Sequence, residues 1–342
     1  MTVFSSEMMG GYAGKRVLVT GGAGFVGSHL CDRLLALGSR VDVLDDLSTG
    51  SAANIPLGIG RFIERDVSAS DPLPDYDVIF HLACPASPPR YQADPVATFR
   101  TAVFGTVRML EEARRIGARI LIASTSEIYG DPQEHPQKES YWGHVNPIGL
   151  RSCYDEGKRA AETVATDYRR KYGIDLRMVR IFNTYGPRMD PFDGRVVSNF
   201  IRQGLLGLPL TLYGDGSQTR SFCFVSDLVE GILRLGALPD EPGREAPVNL
   251  GNPGEFTIGE LADIVEEVLG SSLGRMNHPL PSDDPRRRRP DIARAEHLLG
   301  WSPQVPLRQG IALTVENFRG RPEELLSDRN PSSAPRQGAP SR

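Results

Sequence analysis

The run Arg16-Val17-Leu18-Val19-Thr20 passes directly into Gly21-Gly22-Ala23-Gly24-Phe25-Val26-Gly27, and this junction constrains the fold more than any other stretch. Five residues rich in branched aliphatic side chains read as a buried strand. The apolar positions that follow, Val26, Leu30, Leu34 and Leu37, recur at helical spacing until Gly38 stops them. A second β-rich run, Arg40 to Leu44, ends on Asp45-Asp46. Strand, glycine turn, helix and strand form a β-α-β unit, which implies parallel strands joined by a crossover helix. Glycines at such a turn let the backbone approach a pyrophosphate, and the helix N-terminus faces that charge. Gly21, Gly24, Phe25, Val26 and Gly27 are therefore candidate dinucleotide contacts. Alone, the turn would be weak grounds, since a tight turn uses the same glycines. The acid ending the next strand strengthens the reading. Asp45 would accept hydrogen bonds from an adenosine ribose and repel a 2′-phosphate, so NAD rather than NADP is the expected cofactor.

Further strands are expected at 61–65, 78–82, 119–123 and 176–181, with helical patterns between them, notably 96–116 and 154–172. Asp66, at the end of the third strand, could reach an adenine amino group or simply close a turn, the commoner use of Asp. This alternation describes an α/β, Rossmann-type doubly wound parallel sheet whose ligand sites lie at the C-terminal ends of the strands. Beyond Gly186 proline and glycine become dense and the strands shorten, with brief ones at 210–213 and 221–225. The expected division is a Rossmann domain over 14–185 with a segment returning near 221–250, and an interleaved, smaller C-terminal α/β substrate domain over 186–320. The first 14 residues read as a loose leader, and 321–342, rich in Ser, Pro and Arg, as a disordered tail.

A net charge of −4 gives no reason to expect nucleic acid, and no apolar run approaches 18 residues, so no membrane span is expected. Cysteines 31, 84, 153 and 223 are scattered, and neither a disulfide framework nor a metal site is suggested. Cytoplasm is the default expectation.

The chemistry centres on Ser152-Cys153-Tyr154-Asp155-Glu156-Gly157-Lys158. Tyr154 and Lys158, four apart where a helix begins, share one face. A phenol with an ordinary pKa of about 10 is a poor base at neutral pH, but a fixed ammonium beside it favours the phenolate. The pair could take a proton from an alcohol while a cofactor takes the hydride. With ten Tyr and four Lys, a chance Tyr-x-x-x-Lys is expected about 0.1 times. The fifth strand runs into Ser124-Thr125-Ser126-Glu127, which should lie beside that pair or else form a hydroxyl-rich loop serving its own backbone. Asn183, Arg220 and the run Arg286–Arg289 suit a nucleotide diphosphate, although any one of 35 arginines is more often a solvated charge.

These motifs, taken in order, resemble the extended short-chain dehydrogenase/reductase family of nucleotide-sugar enzymes over about residues 14–320. Within it, HLACPASPPRY (81–91), STSEIYGDP (124–132), YWGHVNPIG (141–149), SCYDEGKR (152–159), RIFNTYGPRM (180–189), DGRVVSNFI (193–201), YGDGSQTRSF (213–222) and NLGNPGEFT (249–257) look like the UDP-glucuronate decarboxylase branch. The resemblance implies Tyr154 as base and Lys158 as its partner on the nicotinamide ribose. It implies Thr125 at the sugar C4 hydroxyl, and Ser126 and Glu127 near C5 and the carboxylate. Related 4,6-dehydratases carry Asp where Ser126 stands, and 4-epimerases lack the Glu. It further implies that Asn183, Arg220 and Arg288 hold UDP, that Tyr91 lies near the sugar carboxylate, and that the chain is a homodimer paired through helices around 95–116 and 154–172. Within the run Arg286–Arg289, the resemblance implies Arg288, which falls in the family's spacing Asp-Pro-x-x-Arg-x-Pro-Asp. The chain departs from the family pattern at Arg90 and Ala102, where Asn is usual, and at Leu150, where Pro is usual. Arg90 bears on the grip of the sugar; Ala102 is expected to matter only structurally.

Overall fold

The computed structural model describes residues 9–279 and 287–326. Seven strands, β1 (Arg16–Thr20), β2 (Arg40–Asp45), β3 (Phe62–Glu64), β4 (Val78–His81), β5 (Arg119–Thr125), β6 (Leu176–Ile181) and β7 (Val248–Leu250), form one sheet. Their order is β3-β2-β1-β4-β5-β6-β7 and every neighbouring pair is parallel. The order reverses between β1 and β4, which opens a crevice at the C-terminal strand ends. β1 explains why the sequence reads as a continuous apolar run. Val17 and Val19 pack on one face of the sheet, with the helices Phe25–Ala36 and Val225–Ala237. Leu18 packs on the other, with Thr106–Ile116 and Ser152–Tyr172. A strand covered on both faces has no polar side to alternate with.

The second unit has its own apolar cluster, built from Phe200 and Ile201, Leu261 and Val265, and Ile311, Val315 and Phe318 on three helices. Its strands are short: Glu255–Thr257 pairs antiparallel to Thr219–Ser221, which pairs parallel to Arg287–Arg288. Among the described residues no helix is long and apolar enough to cross a membrane.

Several expectations are corrected. The single strand at 221–225 is two pieces, Thr219–Ser221 and Cys223–Phe224, and Val225 opens a helix. Val225, Leu228, Val229, Ile232 and Leu233 recur at helical spacing and are all buried against the sheet, which favours helix there. What returns to the Rossmann sheet is therefore this helix together with β7. Residues 9–14 are no loose leader, because Tyr12 is 3% exposed and its hydroxyl donates to the Leu233 carbonyl at 2.8 Å. Residues 322–326, assigned to the tail, form a helix with Leu325 buried. Residues 1–8 and 327–342, and with them most of the expected leader and tail, lie outside the described residues, as do Asp283, Asp284 and Arg286.

The helical pattern at 96–116 is interrupted by a π-helical turn at Thr101–Gly105. Ala102 on that turn is 1% exposed, and a Cβ at Gly157 of the facing helix would come within 3.0 Å of the Ala102 Cβ. The alanine thus belongs to a close helix–helix approach.

Candidate active site

One cleft of about 1040 Å³ runs along the C-terminal strand ends between the two units. At its floor Gly21 has φ +74°, and a Cβ there would sit 2.9 Å from the Ala83 nitrogen. A Cβ on Gly27 would lie 2.1 Å from the Gly21 carbonyl oxygen, so no larger residue fits without moving the turn. Gly24 caps the Phe25–Ala36 helix with no side chain across its end, leaving the first-turn N–H groups facing the cleft. Asp45, 6% exposed, accepts from the Ala23 nitrogen at 3.0 Å and the Leu47 nitrogen at 2.9 Å. Each carboxylate oxygen keeps lone-pair capacity toward the cleft it lines. A cradle closed to any Cβ, a helix end and a buried acid at the next strand fit a dinucleotide. Asp66 is exposed, accepts from the Ser68 nitrogen and hydroxyl at 2.7 Å, and does not line the cleft. The structure gives it the turn role.

Tyr154 and Lys158 project from the start of the Ser152–Tyr172 helix, both buried. The Lys158 ammonium donates to the Ala123 carbonyl at 2.9 Å and lies 5.9 Å from the Tyr154 ring centroid. Thr125 ends β5 near enough to the Tyr154 phenol to favour its ionised form, and both side chains line the cleft. The expected lowering of the tyrosine is outweighed: burial, with Cys84 adding, pushes the Tyr154 phenol up, against Thr125 and Arg195. Without ligands Tyr154 is a neutral phenol, and Lys158 acts on it as a fixed neighbour rather than as the governing charge. Tyr91 stacks on Tyr154 with centroids 5.2 Å apart and planes within 6°. Its hydroxyl is buried with no hydrogen-bond partner among the described residues.

Beyond Thr125 the chain makes a short 3₁₀ turn, Ser126–Tyr129, capped by the Thr125 hydroxyl accepting from the Glu127 nitrogen at 3.2 Å. This turn presents Ser126 and Glu127 to the cleft. Arg288 reaches it from the second unit: its Nη1 lies 3.0 Å from Ser126 Oγ and 3.0 Å from Glu127 Oε1, and its Nη2 donates to the Gly130 carbonyl at 2.9 Å. Arg288, expected to hold UDP, lines the same cleft, and here its guanidinium is bound to the Ser-Glu turn. A guanidinium 2% exposed and bound to the Ser-Glu turn belongs with those residues. Arg151, not singled out by the sequence reading, donates its Nη2 to Glu127 Oε2 in a short hydrogen bond. Burial opposes ionisation of Glu127, but Arg288 and Arg151 outweigh it and hold the carboxyl below its ordinary value. Only its place three residues before Tyr154, on the same helical face, hinted at Arg151. Ser124 points away, donating to Glu162.

Asn183 and Arg220 also line the cleft, half-buried, together with Gln218 and the exposed Tyr213. Arg90 also lines it and pairs with Asp190 at 2.6 Å, tying the first unit to the second.

The sequence profile of the NAD dependent epimerase/dehydratase family matches residues 17–251. UDP-glucuronic acid decarboxylase 2 of Arabidopsis thaliana is 56% identical over 312 residues, covering 90% of this chain and 69% of the relative. Among solved structures, UDP-glucose 4-epimerase of Thermus thermophilus in complex with NAD is 33% identical with a TM-score of 0.79, covering 90% of this chain and 99% of that one. UDP-glucuronic acid 4-epimerase of Bacillus cereus, in complex with UDP-glucuronic acid and NAD, is 28% identical with a TM-score of 0.78, covering 89% and 99%.

Proposed function

The chain belongs to the NAD dependent epimerase/dehydratase family, and from that premise we propose that it converts UDP-glucuronate to UDP-xylose and carbon dioxide. The observation that carries the reading is the adjacency of two groups in one cleft: Tyr154 with Thr125, and Ser126 and Glu127 gripped by Arg288 and Arg151. A simple 4-epimerase needs the first group but has no use for the second. The 56% identity to a decarboxylase, against 28–33% to the solved epimerases, points the same way.

NAD, held by the Gly21–Gly27 turn, Asp45 and Lys158, supplies the hydride acceptor at C4 and later the donor. Tyr154 first gives up its phenolic proton to solvent, which the Lys158 ammonium and the cationic nicotinamide of bound NAD would favour, and as the phenolate takes the proton of the C4 hydroxyl, which Thr125 holds in place. The resulting C4 ketone is β to the C6 carboxylate. The C5–C6 bond then breaks, carbon dioxide leaves, and the electron pair passes into an enolate whose charge rests on the C4 oxygen. The protonated Tyr154 and the Thr125 hydroxyl hydrogen-bond that oxygen. Glu127, held ionised between two guanidinia, orients a water as an acceptor; it does not donate. One proton from solvent enters at C5. On reduction at C4, Tyr154 returns its proton to the oxygen. Asn183 and Arg220 hold the diphosphate, and Tyr91 flanks the sugar.

The same proposal includes a homodimer, supported by Val96, Phe99 and Phe104, which stand 68%, 40% and 54% exposed along 96–104. Cytoplasmic placement is supported by four unpaired cysteines, two of them buried. The test is NMR of the products from UDP-glucuronate with no added NAD. UDP-xylose is expected; a 4-keto pentose with stoichiometric NADH would identify an oxidative decarboxylase instead, and an epimerised hexuronate would refute the reading.

A further inference from the structure

Gln137 and Asn249 are fully buried, and neither lines the cleft. What they hold is the backbone that follows Arg288. The Gln137 nitrogen donates to the Arg289 carbonyl, and the Asp291 nitrogen donates to the Gln137 carbonyl, both at 2.9 Å. The Gln137 side chain accepts from the Arg289 nitrogen at 2.9 Å and donates to the Glu134 carbonyl at 2.8 Å. Pro290 falls at the one position of this bridge that uses no N–H. Asn249, on β7, donates its Nδ2 to the Gln137 carbonyl at 3.0 Å and to the Asp291 carbonyl at 3.1 Å. Its Oδ1 accepts from the Tyr129 hydroxyl at 2.8 Å, and Tyr129 closes the 3₁₀ turn that carries Ser126 and Glu127.

We propose that Gln137 and Asn249 are positioning residues that set Arg288 against Ser126 and Glu127 for the decarboxylating step. The inference deepens the decarboxylase reading and rests on it. Asn249 is bonded to both partners of that contact. It holds the Arg288 segment at Asp291 and through Gln137, and it holds the Glu127 turn through Tyr129. The spacing between guanidinium and carboxylate is thereby referred to one residue of the Rossmann sheet, not to the packing of one unit on the other.

The contact needs such a reference. Arg288 meets Ser126 Oγ and Glu127 Oε1 at 3.0 Å and the Gly130 carbonyl at 2.9 Å. A separation of 3.6 Å is no longer a hydrogen bond, so a shift of about 0.6 Å is enough to release the turn. On its other side the segment is held by Arg287 and Arg288, which pair parallel with Thr219 and Arg220. Every side-chain nitrogen and oxygen of Gln137 and Asn249 has a partner. A satisfied buried network fixes one arrangement, where apolar packing would let the segment slide.

The test compares variants of the NAD-loaded protein on UDP-glucuronate. Gln137→Met keeps the length of the side chain but loses both of its hydrogen bonds. Its kcat for carbon dioxide release is expected to fall between about tenfold and about a hundredfold, the loss that a misplacement of about 1 Å brings. NAD content and UDP affinity should stay within about twofold, since Arg220 lies on a strand that Glu255–Thr257 pairs from its other side. Single-turnover nicotinamide absorbance should show NADH forming at the unmodified rate and persisting, because C4 oxidation belongs to Tyr154 and Thr125. Gln137→Glu supplies the rescue. Protonated, its carboxyl accepts from the Arg289 nitrogen and donates to the Glu134 carbonyl as the amide does; ionised, it has no proton to donate. Its kcat should therefore approach the unmodified value at low pH and fall as pH rises, a limb that Gln137→Met lacks. An unchanged kcat in Gln137→Met would overturn the proposal. A loss of NAD content and UDP affinity in step with kcat would reduce Gln137 to a structural role and overturn it as well. So would a Gln137→Glu protein without that limb, or an Asn249→Leu protein that releases carbon dioxide at the unmodified rate. The product analysis of the unmodified protein reports separately on the decarboxylase reading, so the two failures are distinguishable.

Discussion

Replacing Arg288 with methionine separates the structural from the chemical contribution of the ion cluster. Arg288 is 2% exposed, and its guanidinium meets Ser126 Oγ and Glu127 Oε1, each at 3.0 Å, and the Gly130 carbonyl at 2.9 Å. Methionine replaces the aliphatic stem but ends about where Nε stands, so it leaves Glu127 with Arg151 and the Gly130 carbonyl without this donor. Breaking a buried pair by removing one member costs about 3–5 kcal/mol. Because Arg151 still holds Glu127, the lower end applies, about 3 kcal/mol. For a chain of this length, each kcal/mol moves Tm by about 2 °C, so a fall of roughly 6 °C is expected by calorimetry. Adding Glu127→Gln to Arg288→Met removes the stranded charge and should recover most of that loss, while turnover stays absent in both. The pH dependence follows the same logic. Glu127 is held below its unfolded value of about 4.3, so its contribution is present above that pH and lost as pH falls toward the folded value. In Arg288→Met the folded value rises, and less stability should be lost on acidification. An unchanged Tm, or a double variant no more stable than Arg288→Met, would refute the argument that the Glu127 pair is what Arg288 stabilises.

Tyr154→Phe should abolish turnover while leaving UDP affinity within about twofold by calorimetry, since the phenol is assigned to the C4 hydroxyl and the grip on the diphosphate to Asn183 and Arg220; substantial residual turnover would remove Tyr154 as the base. In Gly27→Ala the new Cβ would lie 2.1 Å from the Gly21 carbonyl, so the turn must shift. The purified variant is expected to carry little NAD by its absorbance ratio, and full NAD content would show that the cradle tolerates a side chain. Arg90→Asn removes a pair of 2.6 Å whose members are 17% and 30% exposed. Such a partly screened pair is worth about 1 kcal/mol or less. KM for UDP-glucuronate should therefore move by less than about fivefold with kcat unchanged, and a collapse of kcat would place Arg90 in the chemistry instead.

Much of the fold was legible because its signals are local. The strand-glycine-helix junction at 16–27 dictates a parallel unit, and β6 lies where its apolar run places it, at Leu176–Ile181. The misreadings fall where tertiary packing outweighs local pattern. Cys223-Phe224-Val225 carries β-forming residues, yet Val225 opens a helix because the turns after it bury Leu228, Ile232 and Leu233 on the sheet. Tyr12 sits in a segment with no helical or strand periodicity, and only a carbonyl 221 residues away in sequence makes it part of the core.

The site divides along the same line. Tyr154, Lys158 and Thr125 are legible as a proton-handling group because helical spacing and a strand end place them before any long-range contact is known. The decarboxylating half depends on an encounter between distant parts of the chain: Arg288 meets Ser126 and Glu127 across 162 and 161 residues. No spacing rule reports such an encounter, and diphosphate is the natural partner to assign to an arginine-rich run. The consequence is chemical as well as topological. A carboxylate beside a substrate carboxylate is tolerable only if cations neutralise it, so Glu127 implies at least one buried guanidinium that the local sequence does not contain. Arg288 and Arg151 meet that requirement from the second unit and from the Tyr154 helix respectively. On the proposed reading, the proton-handling pair is built by the Rossmann unit alone, while the bond-breaking chemistry draws on both units and the cleft between them.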